Sequence, residues 1–326
     1  MMWFVQRAFG KVAGIVFTIL VIATINFALV HSAPGDPALV VAGQSGATDE
    51  KFIEQVRKEY GLDQPYFVQL GTYLGKIIRF DLGYSHRQRM AVGDLIMGRL
   101  GPTLLLTLSA FFLSLIGGVL FGAIAARRHG KWSDLGISLI SLLLYATPIF
   151  WLGLMLILVF SIKLEWLPAF GYTNIRSASY GTFEYMLDVL KHLILPTVTL
   201  SAIYMAVYTR LMRSSLIEVS HEDHVRTARA KGLTEGKILR RHMLRNAAVP
   251  VVTFAGLQAG ALIGGSVVVE TVFSWPGLGR LTFDAVTARD YPVLLGLFLV
   301  MSILVIAVNL LTDLLHRLID PRIAAH

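Results

Sequence analysis

Six stretches of the chain run almost without polar interruption, each separated from the next by charged or turn-forming residues. They are Val12–Val30, Leu104–Ala126, Gly136–Ile162, Leu193–Thr209, Val249–Val269 and Val293–Leu311, and none contains a charged side chain. A helix needs about 20 apolar residues to cross the hydrocarbon core, so the pattern predicts an all-α protein with six transmembrane helices. The fourth stretch is the shortest, holds Pro196, and is expected to borrow residues upstream near Tyr185–Leu190. Pro148 and Pro196 are expected to kink their helices.

The intervening segments have their own patterns. After Ala33-Pro34-Gly35-Asp36-Pro37, a turn cluster that stops the first helix, Asp49–Tyr60 places Phe52, Val56 and Tyr60 at four-residue spacing and predicts a short amphipathic helix. Gly61-Leu62-Asp63-Gln64-Pro65 ends it. Tyr66–Phe80 predicts a second helix, and Asp81–Ser85 a turn. Trp275-Pro276-Gly277-Leu278-Gly279 cannot continue a helix and reads as a re-entrant or interface-hugging loop, with Trp275 at the membrane interface.

The segment His221–Pro250 is polar, basic and helix-forming. Val225, Ala228 and Gly232 share one helical face of small residues. Gly232 suits a left-handed helix end, and Thr234 is placed to cap a second helix running to Leu244. An L-shaped helix pair with a glycine corner is predicted, its small-residue face fitting a groove in another protein.

Composition sharpens this. The chain has 326 residues, 55% of them hydrophobic and only 15% charged, well below the roughly 25% charge of soluble domains. It has no cysteine, which excludes disulfides, thiolate metal sites and cysteine nucleophiles. The formal charge of +8 is unevenly spread. Alternate connections carry 16 Lys and Arg against 7 acidic residues on one side, and 13 against 14 on the other. The basic side holds both termini and Arg210–Arg245, and is placed in the cytoplasm. The charge is therefore a membrane-surface charge, favouring lipid over nucleic acid. The first apolar run is read as a retained span, since no small-x-small cleavage site follows it.

Chemistry-bearing candidates are few. Gly232-Leu-Thr-Glu-Gly236-Lys237 is one residue short of a phosphate loop, and Ile238 stands where Ser or Thr is required. His221 and His224 are three apart, where a metalloprotease helix needs four. His192 lies near a span start with no acid expected within helical reach, and reads as interfacial. Within the spans only Asn26, Gln258 and Asn309 stand out as polar, so no proton relay is visible. Gly118 and Gly122, and Gly256, Gly260 and Gly264, repeat at four-residue spacing that permits close helix approach. They serve internal packing or, with Gln258 and Asn309, a face on the pathway. A stand-alone secondary carrier or channel is the alternative reading. A membrane-embedded enzyme would need a nucleophile–histidine pair or a metal cluster.

Several motifs together resemble the ABC importer permeases, and more narrowly the dipeptide/oligopeptide/nickel permease family. They are Asp223-x-x-Arg226-Thr227-Ala228-Arg229-Ala230-Lys231-Gly232-Leu233, then Arg245-Asn246-Ala247 and Pro250. Pro34-Gly35-Asp36-Pro37, Gly61–Pro65, Asp81-Leu82-Gly83 with Ser85, Glu270-Thr271-Val272-Phe273 with Trp275–Gly279, and Asp320-Pro321-Arg322 also match. The general importer loop carries Glu-Ala-Ala where this chain has Thr227-Ala228-Arg229-Ala230.

The resemblance implies a type I importer fold, with residues 1–30 as N-terminus and first helix and 31–94 as an external cap. A permease core follows at 95–315, with later spans near 104–126, 136–162, 190–209, 249–269 and 293–311 and a coupling loop at 210–248. Residues 316–326 form a cytoplasmic tail. It implies ATPase-coupling roles for Glu222, Asp223, Val225, Arg226, Ala228, Ala230, Gly232 and Leu233, and an external gate at Trp275, Pro276, Gly277 and Gly279. A second homologous permease, two ATPase subunits and an extracytoplasmic substrate-binding protein are the implied partners in a bacterial inner membrane. ATP and Mg would be bound by the ATPases, with no cofactor in this chain. Peptides are the expected cargo class, with glutathione, nickel and other small solutes as alternatives.

Overall fold

Among the described residues, five helices are long and apolar enough to cross a membrane, and a bent pair brings the number to six when counted as one span. The computed structural model describes residues 2–32, 50–59, 63–174 and 179–319. The Pro34–Pro37 cluster, Gly61-Leu62, Asp320–Arg322 and the side chains of Phe52, Val56 and Tyr60 lie outside what it describes.

In chain order the elements are α1 (Met2–Ser32), α2 (Glu50–Glu59), α3 (Tyr66–Ile78), a two-residue hairpin β1 (Tyr84–Ser85) and β2 (Met90–Ala91), and α4 (Val92–Arg127). Then come α5 (Trp132–Ala146), α6 (Ile149–Leu156), α7 (Thr182–Val219), α8 (Asp223–Ala230), α9 (Glu235–Ile238), α10 (Leu244–Val272), α11 (Leu278–Ala288) and α12 (Tyr291–Ile319). A π-helical turn, Leu239–Met243, joins α9 to α10 without a break, and another, Ile157–Lys163, continues α6. The chain divides into two compact units. One comprises Met1–Gly101 with Gly277–Ala307, the other Pro102–Pro276 with Val308–His326.

In the first unit, Val92, Leu95 and Ile96 pack with Leu278 and Leu281 of α11 and Val293, Leu294 and Leu297 of α12. Gly296 is required there, because a Cβ would sit 2.6 Å from the Val92 side chain. The Asp81–Ser85 motif is more than a turn. Asp81 accepts a hydrogen bond from the Gly83 amide at 2.9 Å, and Gly83 has φ +86. The Val92 amide returns to the Gly83 carbonyl at 3.0 Å. Fully buried Ser85 then donates its hydroxyl to the Asp290 carboxylate, which ties the hairpin to the corner between α11 and α12.

The second unit is built around α7. At 1.5 Å per residue its 38 residues reach about 57 Å, well beyond a hydrocarbon core of about 30 Å. The sequence pattern located only its apolar centre. α10 and α5 pack along it. A cluster toward the cytoplasmic end joins Tyr208, Met212, Leu216 and Val219 of α7 to Val225, Ala228, Ile238, Met243 and Ala247. A cluster toward the external end joins Leu193, Leu195 and Leu200 to Leu106, Ile157, Val269, Phe273 and Trp275. The third predicted span differs from a kinked helix: α5 and α6 meet at 109° across Thr147-Pro148. Pro148 has no amide to continue the ladder, and its ring pushes Thr147 into an extended conformation with ψ 128.

Candidate functional site

Residues 218–247 form the cytoplasmic elbow. α7 stops at Val219, and α8 starts after Glu222, which stands in an extended conformation at its N-terminus. α8 ends in a paired-bond cap. The Gly232 amide bonds the Arg229 carbonyl at 2.9 Å and the Leu233 amide bonds the Ala228 carbonyl at 3.3 Å. This requires a left-handed residue at the corner, and Gly232 has φ +73. Thr234 stands at the start of α9 but makes no side-chain cap bond. The corner is braced by Arg229, whose Nε donates to Glu235 at 2.8 Å and whose Nη1 donates to the Ser220 carbonyl at 3.2 Å. The Arg229 guanidinium holds the Glu235 carboxyl below the usual carboxylate range.

The small-residue face points the other way from its sequence-based expectation. Val225 is fully buried and Ala228 nearly so, both inside the chain's own cytoplasmic cluster. Small side chains let α8 lie against α9 and the π-helical turn, in one buried cluster with Leu216 and Val219 of α7, so that face is an internal contact. Glu222, Asp223, Arg226, Ala230 and Gly232 are exposed, and Leu233 is half-buried. The Asp223 side chain is 99% exposed and Arg226 67%, with 3.8 Å between them. The outward surface is therefore charged, with a glycine corner.

Two features were missed. Asp134 in the first turn of α5, ahead of the apolar run at 136–162, is buried and receives Arg213 from α7 in a two-pronged contact of 2.6 and 2.9 Å. Its second oxygen also accepts from the Gly130 amide at 3.0 Å and lies 3.2 Å from His129 Nδ1. The Arg213 hydrogen bonds hold the Asp134 carboxyl far below its usual range, against the opposing effect of burial. The spacing Asp134…Arg213 spans 79 residues, so no local pattern reveals it. The second feature is Glu270. α10 runs to Val272, so Glu270 is helical and fully buried, accepting a hydrogen bond from the Thr103 hydroxyl at 2.8 Å.

Three expectations are corrected. Trp275 is not at the lipid interface: it is fully buried, donates its indole N–H to the Pro102 carbonyl at 2.9 Å, and packs edge-on against Tyr172. After Gly277 the chain forms helix α11, which buries Leu278, Leu281, Ala285 and Ala288, a helical spacing legible in the sequence. His192 is buried, with an acid within helical reach: Asp188 lies one turn earlier, its carboxylate 3.6 Å from Nδ1.

The glycine repeats separate. A Cβ on Gly118 would collide with the Tyr208 side chain, and one on Gly122 would lie 2.6 Å from both Met212 Cβ and the Thr209 carbonyl. These two seat α4 against α7. Gly256 and Gly260 are buried, whereas Gly264 is exposed with nothing within 4 Å. Gln258 is half-buried and Asn309 exposed.

Residues 118–325 match the family described as binding-protein-dependent transport system inner membrane component, and residues 1–107 match its N-terminal part. The chain belongs to that family. This permease is 42% identical over 313 residues to the glutathione transport system permease protein GsiC of Escherichia coli (strain K12), covering 96% of this chain and 97% of the relative. It is 40% identical, with the same coverage, to a putative peptide transport system permease protein of Brucella suis biovar 1 (strain 1330). Among solved structures, an inward-facing form of the MetNI methionine ABC transporter aligns with TM-score 0.55 at 18% identity, covering 69% of this chain and 96% of that one. An amino acid ABC transporter aligns with TM-score 0.51, covering 69% and 94%. The permease thus has the type I ABC importer fold and is a multi-pass inner-membrane subunit.

Proposed function

We propose that this permease forms half of the translocation pathway of an ATP-driven importer for peptides, a class that includes the tripeptide glutathione. It pairs with a second, homologous permease and receives cargo from an extracytoplasmic substrate-binding protein. Two ATPase subunits, which bind ATP and Mg, dock at the cytoplasmic elbow. The observation that carries this reading is the exposed, charged outer face of α8 and its Gly232 corner, fixed to the ends of two helices longer than the membrane. A docking element held so rigidly transmits motion of a partner to the spans. Glu222, Asp223, Arg226, Ala230, Gly232 and Leu233 make the contact, and Val225 and Ala228 hold the element to the bundle. The peptide class is supported by the names of the relatives at 40–42% identity.

The test is purification of the tagged permease in mild detergent, co-expressed with its genomic neighbours, with all co-purifying proteins identified. An ATPase and a second six-span protein are expected, both lost when residues 222–233 are scrambled. Recovery of the permease alone, or only as a homo-oligomer, favours a stand-alone carrier or channel.

A further inference from the structure

The buried carboxylate of Glu270 lies at the external end of α10, with the Thr103 hydroxyl of α4 among its partners, and the elbow does not use it. An ionisable group at membrane depth is costly unless it is held by hydrogen bonds, so its presence calls for a role. The local geometry supplies one. α10 closes with a paired-bond cap in which the Ser274 amide bonds the Thr271 carbonyl at 3.3 Å and the Trp275 amide bonds the Glu270 carbonyl at 2.8 Å. The corner residue of that cap must be left-handed, and here it is Ser274, with φ 52. Glycine would adopt this conformation freely; a serine stores strain there, of order 1 kcal/mol. Consecutive residues of α4 hold the two sides of this corner: Thr103 donates to the Glu270 side chain and Pro102 accepts from the Trp275 indole. The Gly171 amide adds a third tie, to the Phe273 carbonyl at 2.9 Å.

We propose that the Thr103–Glu270 and Pro102–Trp275 hydrogen bonds form a latch that holds the strained external corner of α10 closed against α4, and that the transport cycle releases it. Glu270 is thus a positioning residue for the Trp275 loop. The inference rests on the importer reading only for what releases the latch, not for the latch itself. Two hydrogen bonds made by adjacent residues of one helix break together when that helix shifts, whereas the apolar packing around them yields gradually. This gives the corner two discrete positions.

The natural absence of cysteine provides the reporter. Ser274→Cys keeps a small side chain at the corner and is the only thiol in the chain. Its labelling by a membrane-impermeant maleimide is followed from the external side, in membranes that also carry the co-expressed partner proteins. With the latch intact, labelling is expected to be slow. Thr103→Val, which removes the donor while keeping the shape, and Glu270→Ala are each expected to raise the rate about tenfold, and the double variant no further. Thr103→Ser restores the donor and the slow rate. Trapping the partner ATPases with ATP and vanadate is expected to raise the rate in the unsubstituted background. Thr103→Val labelled at the parent rate, at normal membrane abundance, overturns the latch. Fast labelling in Thr103→Val with no response to trapping, while an ATPase co-purifies, overturns its release by the cycle. Absence of any co-purifying ATPase refutes the importer assembly instead, and leaves the Thr103→Val result to decide the latch.

Discussion

Gly122 shows how one missing methyl group sets the distance between two helices. A Cβ there would meet a backbone carbonyl, that of Thr209, as well as Met212 Cβ. Backbone cannot rotate away, so Gly122→Ala forces α4 off α7. Overpacking of this kind costs about 1–3 kcal/mol. Gly264, with open space around its Cα, tolerates alanine. The expected outcome for the purified permease in detergent is a clear fall in thermal stability for Gly122→Ala and a change within about 0.5 kcal/mol for Gly264→Ala. Equal sensitivity at both positions contradicts the packing roles assigned here. The two repeats look alike in sequence because spacing reports which residues share a face, not what that face meets. The same limit explains Val225 and Ala228: their common face was legible, but what covers it, the chain's own cytoplasmic cluster, was not.

At the scale of elements, the contact between α5 and α7 depends on Asp134 and Arg213. Removing Arg213 strands a buried carboxylate, and with Arg213 itself 28% exposed the cost is placed at about 2–3 kcal/mol. The sign of the pH effect follows from the direction of the shift. The folded-state value of Asp134 is depressed, so its contribution is present above the ordinary carboxylate value, about 4. It is lost as pH falls below that value toward the lower folded one. Thermal stability measured from pH 7 downward is expected to show this acid loss in the native permease. Arg213→Ala is expected to be less stable at pH 7 and to lose less on acidification. An identical acid profile in both would remove the ion pair from the account. Apolar runs marked where helices cross the membrane, since hydropathy is the quantity the bilayer selects. They did not mark where helices end. The polar ends stay helical because each packs on neighbouring elements, Val92, Leu95 and Ile96 of α4 on α11 and α12, and Met212, Leu216 and Val219 of α7 with Met243 and Ala247, contacts that no apolar run reports. The right-angle break at Thr147-Pro148 was likewise visible only as a proline.

At the scale of the whole molecule, transport requires that an event at the ATPases reach the far side of the membrane. The permease offers a stiff route: the elbow is continuous with α10 through α9 and the π-helical turn, and α10 ends at Val272, between Glu270 and the Trp275 corner. The corner of that route is Gly232, whose φ of +73 a side chain with a branched Cβ strongly resists. No atom lies within 4 Å of a Cβ at this position, so a substitution there acts through the backbone and not by collision. Gly232→Val is expected to shift the corner out of its left-handed conformation at a cost of about 1–2 kcal/mol, re-aiming α8 while the spans insert as before. Uptake driven by ATP is then lost at normal membrane abundance. Gly232→Asn supplies the control, because asparagine tolerates the left-handed region; it is expected to retain most of the uptake although its side chain reaches further out than that of valine. Normal uptake by Gly232→Val argues against the elbow as the transmitting element. Loss in both variants alike argues that the outer surface at residue 232, rather than its backbone angle, is what the partner reads.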